Sequence, residues 1–162
     1  RVRAALPTVA LVAPMVAVSI VVCGRGGASL TCGGLLAVTL LAALWRGQEF
    51  ARGARAGLAA GAGALLLPLA TCFHLCAGGV CLIAPSACVA SGVLGGAVIG
   101  WRARGRAGME SRAGSYVGPA LVVAALAGSL GCVIAGLGGV LGMSAGMAAA
   151  VGPALWWPRR AA

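Results

Sequence analysis

Gly79-Val80-Cys81-Leu82-Ile83-Ala84-Pro85-Ser86-Ala87-Cys88-Val89-Ala90-Ser91-Gly92-Val93-Leu94-Gly95-Gly96-Ala97-Val98-Ile99-Gly100-Trp101 runs without a charge as far as Arg102. A helix crossing a hydrocarbon core of about 30 Å needs about 20 apolar residues. This run supplies them, and it closes on an aromatic residue followed by an arginine, the order expected where a helix leaves the bilayer. Five further runs share its character: residues 4–23, 28–45, 56–75, 115–130 and 133–157. No charge separates the last two, so a turn is expected between Gly131 and Gly139. The uncharged stretch from residue 114 to residue 156 is too long for one ordinary crossing, and a five-span reading would need one long tilted helix there.

Composition agrees with a membrane chain. Of 162 residues, 61% are hydrophobic and 9% charged, and the mean hydropathy is +1.05. A soluble domain carries about 25% charged residues, so a soluble enzyme is excluded. A disordered tail, which needs low hydrophobicity and high charge, is excluded too. A net charge of +10 raises the question of nucleic acid. Yet the basic residues punctuate apolar runs rather than forming a face, and aromatics at 4% leave no stacking platform for bases. Lys, Asp and Asn are absent, and Gly and Ala abound, as in the product of a GC-rich genome. The chain opens at Arg1 rather than Met, which fits either processing or a piece of a longer membrane protein.

The arginines orient the spans. With six crossings, Arg1, Arg3, Arg46, Arg52, Arg55, Arg102, Arg104, Arg106, Arg112, Arg159 and Arg160 fall on one side, and only Arg25 on the other. Arginine marks the cytoplasmic face. The expectation is an integral membrane protein with both termini on the cytoplasmic side. The fold class is all-α, a bundle of about six transmembrane helices. Trp at 45, 101 and 157, and Cys at 23, 76 and 132, recur at near-equal spacing, each Cys being followed by glycines. That pattern suggests three helical hairpins, approximately 1–46, 47–102 and 103–162. Interfacial placement of Trp and equal hairpin lengths account for it as well.

Gly92, Gly96 and Gly100 repeat at a spacing of four, as do Gly138, Gly142 and Gly146. Such spacing lines one helix face with small residues and lets backbones approach. The grooves serve packing within one bundle or association with other membrane subunits or a second copy. Gly57–Gly61 and Gly114–Gly118 are weaker versions, and Gly53 is expected in an inner loop. Pro14, Pro68, Pro85, Pro119 and Pro153 fall inside the spans. No Asp, Glu, Lys or Arg does, which speaks against a proton-coupled pump.

The chemistry-bearing residues gather at the outer ends of the spans. Cys23, Cys32, Cys72, Cys76, Cys81 and Cys132 are expected there, with Cys88 about two turns deeper and His74 beside Cys72 and Cys76. Cys23 and Cys32 flank a glycine-rich turn and are the preferred disulfide. Cys72 and Cys76, one helical turn apart, would clamp Zn or Cu with Cys81 or His74 as a further ligand, although no standard zinc spacing is present. No Cys-x-x-Cys pair supports thiol exchange. Cysteine is also a small apolar residue at home in packed interiors, so no cofactor is expected. No Gly-x-Ser-x-Gly, phosphate loop or carboxylate pair occurs. The inner loops, with Arg46, Arg52, Arg55, Arg102, Arg104, Arg106 and Arg112, suit anionic lipid. Three functions stay open: a non-catalytic subunit or membrane domain of a larger assembly, a metal- or redox-responsive membrane sensor, and a soft-metal transporter.

Overall fold

The structure, a computed structural model, describes residues 8–23, 26–75, 84–104, 113–132 and 136–156. They form six helices: α1 (Val12–Cys23), α2 (Gly26–Arg46), α3 (Gln48–Leu75), α4 (Ala84–Arg104), α5 (Ala113–Cys132) and α6 (Gly136–Trp156). No strand occurs among the described residues. Three of the helices contain segments long and apolar enough to cross a membrane: Gly26–Arg46, Ser86–Arg104 and Gly114–Gly131. At 1.5 Å per residue, the 21 residues of α2 reach about 30 Å. α5 runs to Cys132 and α6 starts at Gly136; residues 133–135, within the turn expected between Gly131 and Gly139, lie outside the described residues.

Two expectations are corrected. The charged segment from Gln48 to Arg55 was expected as loop, but it forms the first two turns of α3. Glu49 and Arg52, three apart on that helix, make an exposed ion pair at 2.8 Å, so charge there is compatible with helix. Gly53 consequently lies inside α3 and is buried. Pro85 belongs to α4. Pro119 and Pro153 are inside α5 and α6.

α2 and α3 are joined by Gly47 alone, at φ +139°, a conformation that glycine adopts without steric cost. Its carbonyl accepts a bond of 3.0 Å from Ala51 N–H, starting the α3 ladder. α3 and α5 form the centre of the bundle. On one side they share a core with α4 and α6, in which Ile99, Ala120, Ala124, Met143 and Met147 are buried. On the other they pack with α1 and α2 around Leu36, Leu40, Val123 and Leu130.

Small residues line the closest helix contacts, and many large apolar side chains face outward. Much of the buried set is Gly, Ala and Ser, while Val21, Leu30, Leu35, Val38, Leu66, Leu94 and Leu141 are exposed. Most hydroxyls are turned back onto their own helix. Thr39 donates to the Leu35 carbonyl at 2.7 Å, Ser129 to Leu126 at 2.8 Å and Ser144 to Val140 at 2.9 Å. This satisfies a polar group without water.

Candidate functional site

Three arrangements carry the residues singled out by the sequence: glycine seams, an arginine end and a cysteine end. The seams are the most developed. A Cβ added at Gly53 would collide with the Tyr116 carbonyl, and one at Gly57 with the Ala120 carbonyl; one at Gly61 would stand 2.9 Å from the Ala124 oxygen. Each step of four along α3 is matched by a step of four along α5, and the numbers rise together. The two helices therefore run parallel, backbone against backbone.

α4 and α6 repeat the arrangement. A Cβ at Gly92 would collide with the Met143 carbonyl, and one at Gly96 would stand 2.5 Å from the Met147 oxygen. In return, one at Gly146 would lie 2.9 Å from the Val89 oxygen. This pair is also parallel. The glycine hydrogens are thus aimed at carbonyl oxygens of the facing helix, the geometry of Cα–H···O contacts. Of the other expected packing glycines, Gly142 faces the Val89 side chain, Gly100 is buried, and Gly138 is exposed with open space around it. Gly114 and Gly118 also face open space.

Sequence reasoning underrated the α3 seam because its first glycine sits among charges. It missed two methionines altogether. Met143 and Met147 are fully buried. The Met143 tip fills the notch left by Gly128 on α5, and the Met147 Cε lies 3.4 Å from the Cβ position at Gly95 on α4. It also missed a polar node linking α1, α2 and α5. Ser19 Oγ donates to the Leu130 carbonyl at 2.8 Å and lies 2.9 Å from Ser29 Oγ. With the Ser19 proton committed to Leu130, Ser29 is the donor to Ser19.

These contacts set the directions of the helices. Ser19 meets Ser29, and Val16 meets Gly33, so α1 and α2 are antiparallel. Ser19 beside Leu130 puts the C-terminal ends of α1 and α5 together. Successive helices thus alternate in direction. One end of the bundle gathers Arg46, Arg52, Arg55, Arg102 and Arg104, all exposed. Beside them Trp45 and Trp101 are 84% and 82% exposed. Arg106 and Arg112 lie outside the described residues, as do Arg1, Arg3, Arg25, Arg159 and Arg160.

The opposite end holds the cysteine positions. Cys32 is half-buried and Cys88 is buried, both as free thiols. Cys23, Cys72 and Cys132 belong to helix ends at this same end of the bundle, their side chains outside the described set; His74 is in the last turn of α3 under the same condition. Cys76 and Cys81 lie outside the described residues. Among the described residues no three metal-ligating side chains come together, and the Cys72–Cys76–Cys81–His74 site falls on side chains outside the described set. Of the expected Cys23–Cys32 bridge, Cys32 is a free thiol and the Cys23 side chain lies outside the described set. The chain matches no family model, no curated protein and no solved structure.

Proposed function

We propose that this chain is a non-catalytic membrane bundle of six crossing helices, both termini cytoplasmic, that serves as a structural subunit or membrane domain of a larger assembly. The observation that carries the reading is the outward exposure of large apolar side chains together with glycine-lined helix contacts. Gly and Ala bring the paired helices together through their backbones, while Val21, Leu30, Leu35, Val38, Leu66 and Leu141 face outward. Lipid removes the apolar drive for burying large side chains, leaving close approach as the means of association. Two seams of glycine zipper type, α3 with α5 and α4 with α6, support it. Alternating helix directions support the six crossings, since parallel alternate helices require the intervening helix to return. The arginines collected beside Trp45 and Trp101 support a cytoplasmic face at that end.

The interior also speaks for structure rather than transport. The buried oxygen-bearing side chains among the described residues are those of Ser19, Ser29, Ser91, Ser129 and Tyr116, hydroxyls rather than carboxylates or amines. Purification from native membranes in mild detergent, followed by identification of accompanying chains, tests the reading. A stoichiometric partner chain is expected. A monodisperse chain carrying no other protein overturns the subunit role.

A second reading, a membrane sensor responding to metal or oxidant, rests on the placement of the described cysteine positions at one end of the bundle. Stoichiometric Zn or Cu on the purified chain, lost in Cys76→Ser, would favour it over the first.

A further inference from the structure

A groove of about 290 Å³ opens along the outer surface between α3 and α4. Ala59, Gly63 and Leu67 make one wall, and Leu94, Val98 and Arg102 the other. Spacing of four keeps each set on one helix face. The floor is Gly95 with Ser91, both buried, and the Ser91 hydroxyl is committed to the Cys88 carbonyl at 2.8 Å. The groove is therefore apolar along its length and charged at one end.

That end carries two arginines. Arg102 lines the groove directly. Arg55 precedes Ala59 by four residues on the same face of α3, and both arginines are exposed. α3 and α4 approach where the Cβ position at Gly95 lies 3.8 Å from the Ala60 oxygen. Because the helices are antiparallel, Arg55 and Arg102 stand at the same mouth. Among the described residues neither has an ion-pair partner, and the carboxylate at this end, Glu49, is held by Arg52. From Arg102 to Ser91 the groove runs about 16 Å along α4, roughly one leaflet of the hydrocarbon core.

We propose that this groove holds one anionic glycerophospholipid of the inner leaflet, an acyl chain lying from Val98 toward Leu67 and the phosphate between Arg55 and Arg102. Charge complementarity and the length of a single leaflet point to this occupant. The inference rests on the membrane reading above.

The test uses the full chain purified in mild detergent and offered equal amounts of dioleoyl phosphatidylglycerol and dioleoyl phosphatidylcholine, with bound lipid read by native mass spectrometry. One phosphatidylglycerol per chain is expected in preference to phosphatidylcholine. Arg102→Gln should reduce that preference by about five-fold, the contribution of one basic residue near an anionic surface. Gly63 faces open space, so Gly63→Leu fills the groove without moving a backbone, and retention of both lipids should fall. Ala59→Leu should do the same should Gly63→Leu fold poorly. Equal retention of the two lipids, or undiminished phosphatidylglycerol in both filled variants, overturns the proposal. So does displacement by millimolar inorganic phosphate, or a dimer of the chain that both filled variants abolish. The membrane reading fails separately, by release of the chain from membranes in alkaline carbonate without detergent.

Discussion

The carbonyl oxygen of Ala120 occupies the place that a side chain at Gly57 would need. Relief of such a clash requires one backbone to move, because neither partner is the flexible end of a side chain. Gly57→Ala should therefore lower the stability of the bundle by about 1–3 kcal/mol, read as a lower melting temperature in detergent. Gly63→Ala, facing open space on the same helix, should leave it unchanged or raise it. Equal melting temperatures for the two variants would remove the α3–α5 seam from the account.

Gly53 and Gly96 make a second comparison. Each faces a carbonyl, Tyr116 in one case and Met147 in the other. Leucine at either position should split its helix pair, even though the sequence placed Gly53 in an inner loop. Size-exclusion profiles and helix content in detergent report the outcome; a Gly53→Leu protein as stable as the parent contradicts the register of α3 on α5.

Ser19→Ala removes two hydrogen bonds, one to Leu130 and one from Ser29. Interhelical bonds in membrane proteins average about 0.6 kcal/mol and reach about 1.7 kcal/mol, so a loss in that range is expected. Ser29→Ala removes one of the two and should cost less. The double variant should cost less than the sum, because both single changes break the same bond. Strict additivity would show that the serines do not interact.

Thiol chemistry separates the cysteines. In the native protein Cys32, half-buried, should react with a small maleimide well before Cys88, which is 1% exposed. With Cys32 a free thiol, titration after denaturation without reductant should count it among the free thiols, and metal assay should find no stoichiometric Zn or Cu. A Cys32 that becomes titratable only after reduction would restore the Cys23–Cys32 bridge expected from the sequence.

Direction is open to labelling as well. In a background without native cysteines, Arg52→Cys and Arg102→Cys should react with an impermeant reagent only from the cytoplasmic side, and Thr31→Cys only from the other. Labelling of positions 31 and 52 from one side would contradict the antiparallel path of α2 and its single-residue link into α3.

The helices themselves were legible because uncharged runs of bilayer length have few other uses, and because Gly at a spacing of four is visible without coordinates. The start of α3 was not legible. Apolar length reports the thickness of hydrocarbon to be crossed, whereas a helix continues into water as long as its backbone bonds continue; Gln48 to Arg55 is such a continuation. The partners of the glycines were equally hidden. Gly57 announces that something approaches closely, but whether Ala120 or a residue of α4 does so depends on which helices become neighbours. The Ser19–Ser29–Leu130 node joins groups far apart in sequence with no shared motif, and the Arg55–Arg102 mouth exists only once α3 and α4 lie antiparallel.

Glycine-lined contacts beneath an outward apolar surface have a consequence for how such a chain diverges. Along the seams a single added methyl group meets a peptide carbonyl, so variation there is held nearly still. Outward, Leu30, Val38, Leu66 and Leu141 face a medium that accepts one branched side chain as readily as another. Descendants of this protein should therefore keep their smallest residues and exchange their largest. Their kinship would be carried by recurring gaps in side-chain volume, at positions 53, 57, 61, 92, 96 and 146, rather than by any shared apolar signature.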